Sequence, residues 1–157
     1  LQGNKARKAV NHFQWIHSVD SLKLAERLER YAAEAQCQPQ CCLQVKLRDD
    51  PSKTGFDVAN LWSVLPQLNA LHHLMICGLM VIPPFGLPVA SNQAIFEQAR
   101  TLADQINAHG FEGIQIKELS MGMSGDYATA IAAGATMVRL GTILFGKRES
   151  IPPADRV

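Results

Sequence analysis

Apolar positions along this 157-residue chain follow two alternating rhythms. Short apolar runs at 15–19, 41–47, 74–82, 114–119 and 136–140 have the length of strands. Between them, apolar residues recur every three or four positions, which lines one face of a helix. The first stripe is Leu22, Ala25, Leu28, Ala32 and Ala35, with Asp20 or Ser21 as the cap. The second is Val58, Leu61, Val64, Leu65 and Leu68 behind Asp57, and Pro66 is expected to kink or split that helix. The third and clearest is Ile95, Phe96, Ala99, Leu102, Ala103 and Ile106 in a helix over 92–108, ended by Gly110. A fourth helix is predicted over 125–133, capped by Ser124 and closed by Gly134. Pro51 and Gly55 mark a loop at 48–56, and Pro83-Pro84 stops the third strand.

Strand–helix alternation of this kind predicts a parallel α/β sheet. A doubly wound sheet usually carries a glycine-rich turn after its first strand, and none follows Val19. A (β/α)8 barrel instead often binds phosphate in the loops after its last two strands. Two small-residue turns, around Gly122-Met123-Ser124 and Gly141-Thr142, stand there in this chain. The expected architecture is a partial TIM barrel made of about five C-terminal parallel strands. A complete barrel takes eight strands and about 250 residues, so some 70 to 90 residues are expected to precede Leu1 in the intact protein. The runs at 15–19 and 136–140 would then be open sheet edges, and the chain is not expected to be an autonomous monomer.

Composition narrows the partners. The chain is 47% hydrophobic and 18% charged, with a net charge of +1, as in a globular protein with no electrostatic bias toward nucleic acid. No apolar run approaches the roughly 20 residues of a membrane span, and the start lacks a signal-peptide layout. Four cysteines, Cys37, Cys41, Cys42 and Cys77, read as packing residues of a reduced protein, since paired CxxC spacing is absent. His72-His73 falls where a helix gives way to a strand and reads as a solvated turn.

Three features have chemical potential. Ser120 and Ser124 offer hydroxyls beside Gly122 and the backbone N–H groups near Met123, at the predicted start of a helix, where an anion is favoured. The plainer reading makes Ser124 a cap and Gly122 a tight turn. Gly141 and Thr142 add a second donor set, next door in a closed barrel. Arg139 stands inside an otherwise apolar strand, where a guanidinium is costly unless partnered. It either reaches the barrel mouth or forms a structural ion pair.

At these residues the chain resembles a known family. "LSMGMSGDYATAIAAGATMVRLGT" followed by "FG" is similar to the C-terminal signature of the pyridoxal-phosphate homeostasis proteins, single-domain relatives of the alanine racemase N-terminal barrel. "LQGNK", "IHSVDS", "QVKLRDDPSKTGF" and "CGLMVIPP" resemble further family segments in the right order, so the likeness covers residues 1–148, with 149–157 as a tail.

The resemblance implies a cytoplasmic, non-catalytic protein that binds pyridoxal 5′-phosphate for vitamin B6 homeostasis. PLP-dependent enzymes would be its recipients. Ser120, Ser124, Gly141 and Thr142 would hold the phosphate, with amides around Gly122 and Met123. Arg139 would face the pyridine nitrogen, where a permanent cation opposes ring protonation. Met80 would line the interior near the ring, or simply pack. The family's cofactor lysine lies on its first strand, upstream of any position here, so no lysine is assigned that role. Lys5 is a minor candidate at the entrance, and Lys46 stands where the family commonly has Asn. Two other readings are a racemase-like enzyme fragment and a barrel enzyme acting on a sugar phosphate.

Overall fold

Each predicted strand forms, and the reasons are local. The structure, a computed structural model, describes residues 1–146. After a 3-10 turn at Gly3–Lys5 comes helix α1 (Ala6–His12), which the apolar pattern did not announce because only Ala6, Ala9 and Val10 are buried. Then follow β1 (Trp15–Val19), α2 (Leu22–Ala35), β2 (Gln40–Lys46), the two-residue β3 (Phe56–Asp57) and α3 (Val58–Asn69). The chain continues through β4 (Met75–Val81), α4 (Val89–His109), β5 (Ile114–Met123), α5 (Tyr127–Ala132), β6 (Met137–Arg139) and α6 (Thr142–Phe145).

The caps work as the residue types require. Ser21 Oγ accepts the N–H of Leu24, and Asp57 Oδ1 accepts that of Asn60. Gly110 ends α4 in the left-handed region at φ +80°. The stripe predicted for α4 is its buried face, residue for residue. In α2 the buried face is Leu24, Ala25, Leu28 and Ala32, while Ala35 is exposed. Pro66 does not split α3. The helix runs through it because Leu61, Leu65 and Leu68, all fully buried, anchor both halves, and their burial at roughly 25 cal/mol per Å2 offsets the lost hydrogen bond.

All strand pairs are parallel, in the order β1-β2-β4-β5-β6, with β3 attached to β2. The main path follows chain order without reversal, which is barrel winding and not doubly wound topology. β1 and β6 are its two ends. One side of the sheet packs against the helices in a continuous apolar layer: Leu28, Leu61, Phe96 and Ile106 meet Leu43, Leu79, Val81 and Ile114.

Candidate functional site

Side chains alternate along a strand, so the sheet has a second face. In β2, Cys41, Leu43 and Val45 join the helix-side layer, and Cys42 and Gln44 point the other way. Met80 and Ser120 likewise leave the layer that holds Val81, Leu119 and Met121. Register then places Gln44, Met80, Ser120 and Met137 in one row across β2, β4, β5 and β6. His17 Nδ1 on β1 lies 2.8 Å from Ser120 Oγ on β5. Three strand spacings separate those strands, about 14 Å in a flat sheet, so the sheet must curl to bring the two side chains together. The second face is the concave interior of a partial barrel.

Arg139 lies on this concave face. Its Nη1 donates to the Ser120 carbonyl at 2.6 Å and to Ser120 Oγ at 2.8 Å, and its Nη2 donates to the Val81 carbonyl at 3.1 Å. The guanidinium therefore crosses the C-terminal ends of β4 and β5. The ion pairs among the described residues do not include it. Burial pulls its pKa down, countered by the negative charge of Asp126, yet a guanidinium stays charged at any ordinary pH. An inward cation held only by neutral oxygens keeps attraction for an acceptor arriving from the mouth.

The two small-residue turns are in contact. Ser124 Oγ accepts the N–H of Gly141 at 3.2 Å and of Ile143 at 3.3 Å. Ser124 thus does not cap the helix that follows it. That helix, α5, begins only at Tyr127 and spans six residues, so donor capacity here rests on turn amides and hydroxyls. β5 also runs four residues past its predicted end, which makes Ser120 a fully buried strand residue. Gly122 sits at φ +90°, where a Cβ would meet the Ala130 Cβ at 2.6 Å. It lets α5 close on the strand rather than opening the backbone to a ligand. The Met123 N–H is occupied, donating to Asp126 Oδ1 at 2.7 Å. Gly141 has open space around it, and Thr142 is exposed at the start of α6. Of the predicted residues, Ser120, Arg139 and Met80 share the concave face. Ser124, Gly141 and Thr142 form the joined turns at its rim, and the Met123 amide is engaged elsewhere.

His17 escaped the residue-by-residue reading. The signal was a polar residue next to Ile16 in a short strand, a position of opposite facing. Burial, and secondarily the charge of Arg139, lower its pKa. Cys42 shares this face, and burial pushes its thiol up to about 12, so it is neither a nucleophile nor a ready metal ligand. Lys53, at the rim beside Pro83 and Asp126, is paired with Asp50 at 2.7 Å. Hydrogen bonds from Lys53 and Ser52 hold the Asp50 carboxyl at about 2. The exposed His73 bonds Glu29 through its N–H and Nδ1, tying the β4 approach to α2. Among the described residues no group of three or more His, Cys, Asp or Glu side chains could hold a metal, and no helix is long and apolar enough to cross a membrane.

The family model of the alanine racemase N-terminal domain matches residues 1–149. The chain belongs to this family. A pyridoxal phosphate homeostasis protein of Synechocystis is 53% identical over 148 residues, covering 94% of this chain and 67% of that protein. One from Pseudomonas aeruginosa is 39% identical over 155 residues, covering 99% of the chain and 65% of the relative. The solved structure of PipY from Synechococcus elongatus with PLP bound superposes at a TM-score of 0.88 with 55% identity, over 93% of this chain and 67% of that one. The chain spans about two thirds of the length of the relatives it matches. The alanine racemase N-terminal barrel is thus the fold of this family member, of which five rungs are described.

Proposed function

We propose that the concave face and its rim form the phosphate and ring-nitrogen side of a pyridoxal 5′-phosphate site, in a protein that holds the cofactor for vitamin B6 homeostasis without turning over a substrate. The carrying observation is Arg139, an inward guanidinium with neutral partners beside two turns that share one hydroxyl. The donors fit the cofactor's chemistry. The Ser124 and Thr142 hydroxyls suit a phosphate, which would replace Ser124 Oγ as acceptor of the Gly141 and Ile143 amides, and Met80 offers a soft apolar floor to a ring. Pyridoxal phosphate activates amines by drawing electrons into a protonated ring. A fixed cation at the ring nitrogen opposes that proton, which favours holding the cofactor over using it. The names of the 53% and 39% identical relatives, and the cofactor bound to PipY, support the same reading. PLP-dependent enzymes in the cytoplasm would be the recipients.

Titrating the chain with pyridoxal phosphate and following cofactor absorbance tests this. The expected result is weak, reversible binding that Arg139→Gln weakens further. Equal binding by both proteins would remove Arg139 from the site. Robust alanine racemisation by the whole protein would contradict the non-catalytic role.

A further inference from the structure

Ser120 Oγ is fully buried and has two short contacts, Arg139 Nη1 at 2.8 Å and His17 Nδ1 at 2.8 Å. The guanidinium can only donate. If Nδ1 also carried a proton, the buried Ser120 hydroxyl would receive two donors and its own proton would have no described acceptor, a costly state. Both contacts are hydrogen bonds when Ser120 donates to an unprotonated Nδ1, with the His17 proton on Nε2. The Ser120 oxygen then turns its lone pair to Arg139.

We propose that His17 is a positioning residue for Arg139: its unprotonated Nδ1 orients the Ser120 hydroxyl so that Ser120 holds the guanidinium, and a proton on His17 undoes that hold. The surroundings favour the neutral ring. Arg139 faces it from β6 and repels a second cation. Cys42, from β2, is a neutral thiol, and the Trp15 ring packs at 5.7 Å between centroids. Asp126 carries the described negative charge that acts on Arg139. Through this relay, mild acid would loosen the guanidinium and with it the grip on the cofactor ring. That consequence rests on the role given to Arg139 above, whereas the relay itself needs no ligand.

The ligand-free, 15N-labelled chain tests the relay by NMR between pH 5 and 8. The expected result is a neutral His17 protonated on Nε2, titrating below its usual value near 6.5, with Arg139 guanidinium protection, taken relative to the base-catalysed intrinsic exchange rate at each pH, about tenfold weaker below the His17 midpoint than above it. His17→Gln keeps an acceptor that does not titrate, so its Arg139 should stay equally protected throughout. Ser120→Ala should break the link. A proton on Nδ1, or Arg139 exchange indifferent to the His17 midpoint, would overturn the proposal. With pyridoxal phosphate added, wild type should lose about tenfold more affinity between pH 7.5 and 5.5 than His17→Gln, one pKa unit of coupling. The cofactor's own ionisation is common to both proteins, so parallel profiles would remove the pH role. Arg139 protection that follows the His17 midpoint without any cofactor binding would uphold the relay and refute the cofactor reading.

Discussion

The two faces of the sheet differ in kind. Toward the helices, Leu43, Leu79, Val81 and Ile114 meet Leu28, Leu61, Phe96 and Ile106 in a layer with no charged member. On the concave side, His17, Ser120 and Arg139 are joined by hydrogen bonds beside Gln44, Met80 and Cys42, and the His17–Ser120 bond links strands distant in the sheet. The first face stabilises the fold through apolar area, which is nondirectional and tolerant of exchange. The second depends on donor and acceptor roles, where one misplaced proton matters more than volume. Substitutions on the first face should therefore change stability, and substitutions on the second should change ligand binding.

Phe96→Ala should sharpen that contrast most. Phe96 is fully buried, and its truncation should cost about 3–5 kcal/mol of stability in urea unfolding. An unchanged midpoint would mean that the helix layer is not the stabilising one. Next comes Arg139→Gln, which should weaken pyridoxal phosphate binding by about 1.5–3 kcal/mol, the worth of a charged hydrogen bond, measured by calorimetry. Gly122→Ala couples the two faces: left-handed backbone and the Ala130 contact should together cost about 2 kcal/mol in thermal unfolding. Ser124→Ala removes the acceptor shared by two turn amides and should weaken cofactor binding by about 1 kcal/mol.

Acidity gives the smallest effect. Because the folded state lowers the His17 pKa, the unfolded chain takes up its proton first. The His17 contribution is intact above about pH 6.5 and is lost as pH falls toward the lower folded value. Stability measured against pH should fall in that window in wild type and less in His17→Gln.

The helix-side face was readable because period and burial coincide: the six apolar residues read in α4 are the six it buries. Helix α1 was not, because three small buried residues make too weak a stripe. Pro66 does not split α3, because local propensity lost to burial of Leu65 and Leu68. On the concave face, Arg139 stood out as a charge in an apolar strand. Its partners did not, since the His17–Ser120 bond joins residues 103 positions apart and depends on sheet curvature that no local pattern encodes. Ser124 illustrates the same limit. Its residue type fits a cap for the next helix, but folding sets Gly141 and Ile143 against its hydroxyl.

The joined turns are tested most directly by following backbone amide resonances of the chain during titration with pyridoxal phosphate and, separately, with pyridoxal. The Gly141 and Ile143 amides, whose neutral acceptor Ser124 Oγ a phosphate would replace, should move furthest with the phosphorylated ligand and barely at all with the other, while Met123, held by the Asp126 carboxylate, should move less. Equal shifts with both ligands, or shifts centred away from these two amides, would contradict a phosphate grip at this rim.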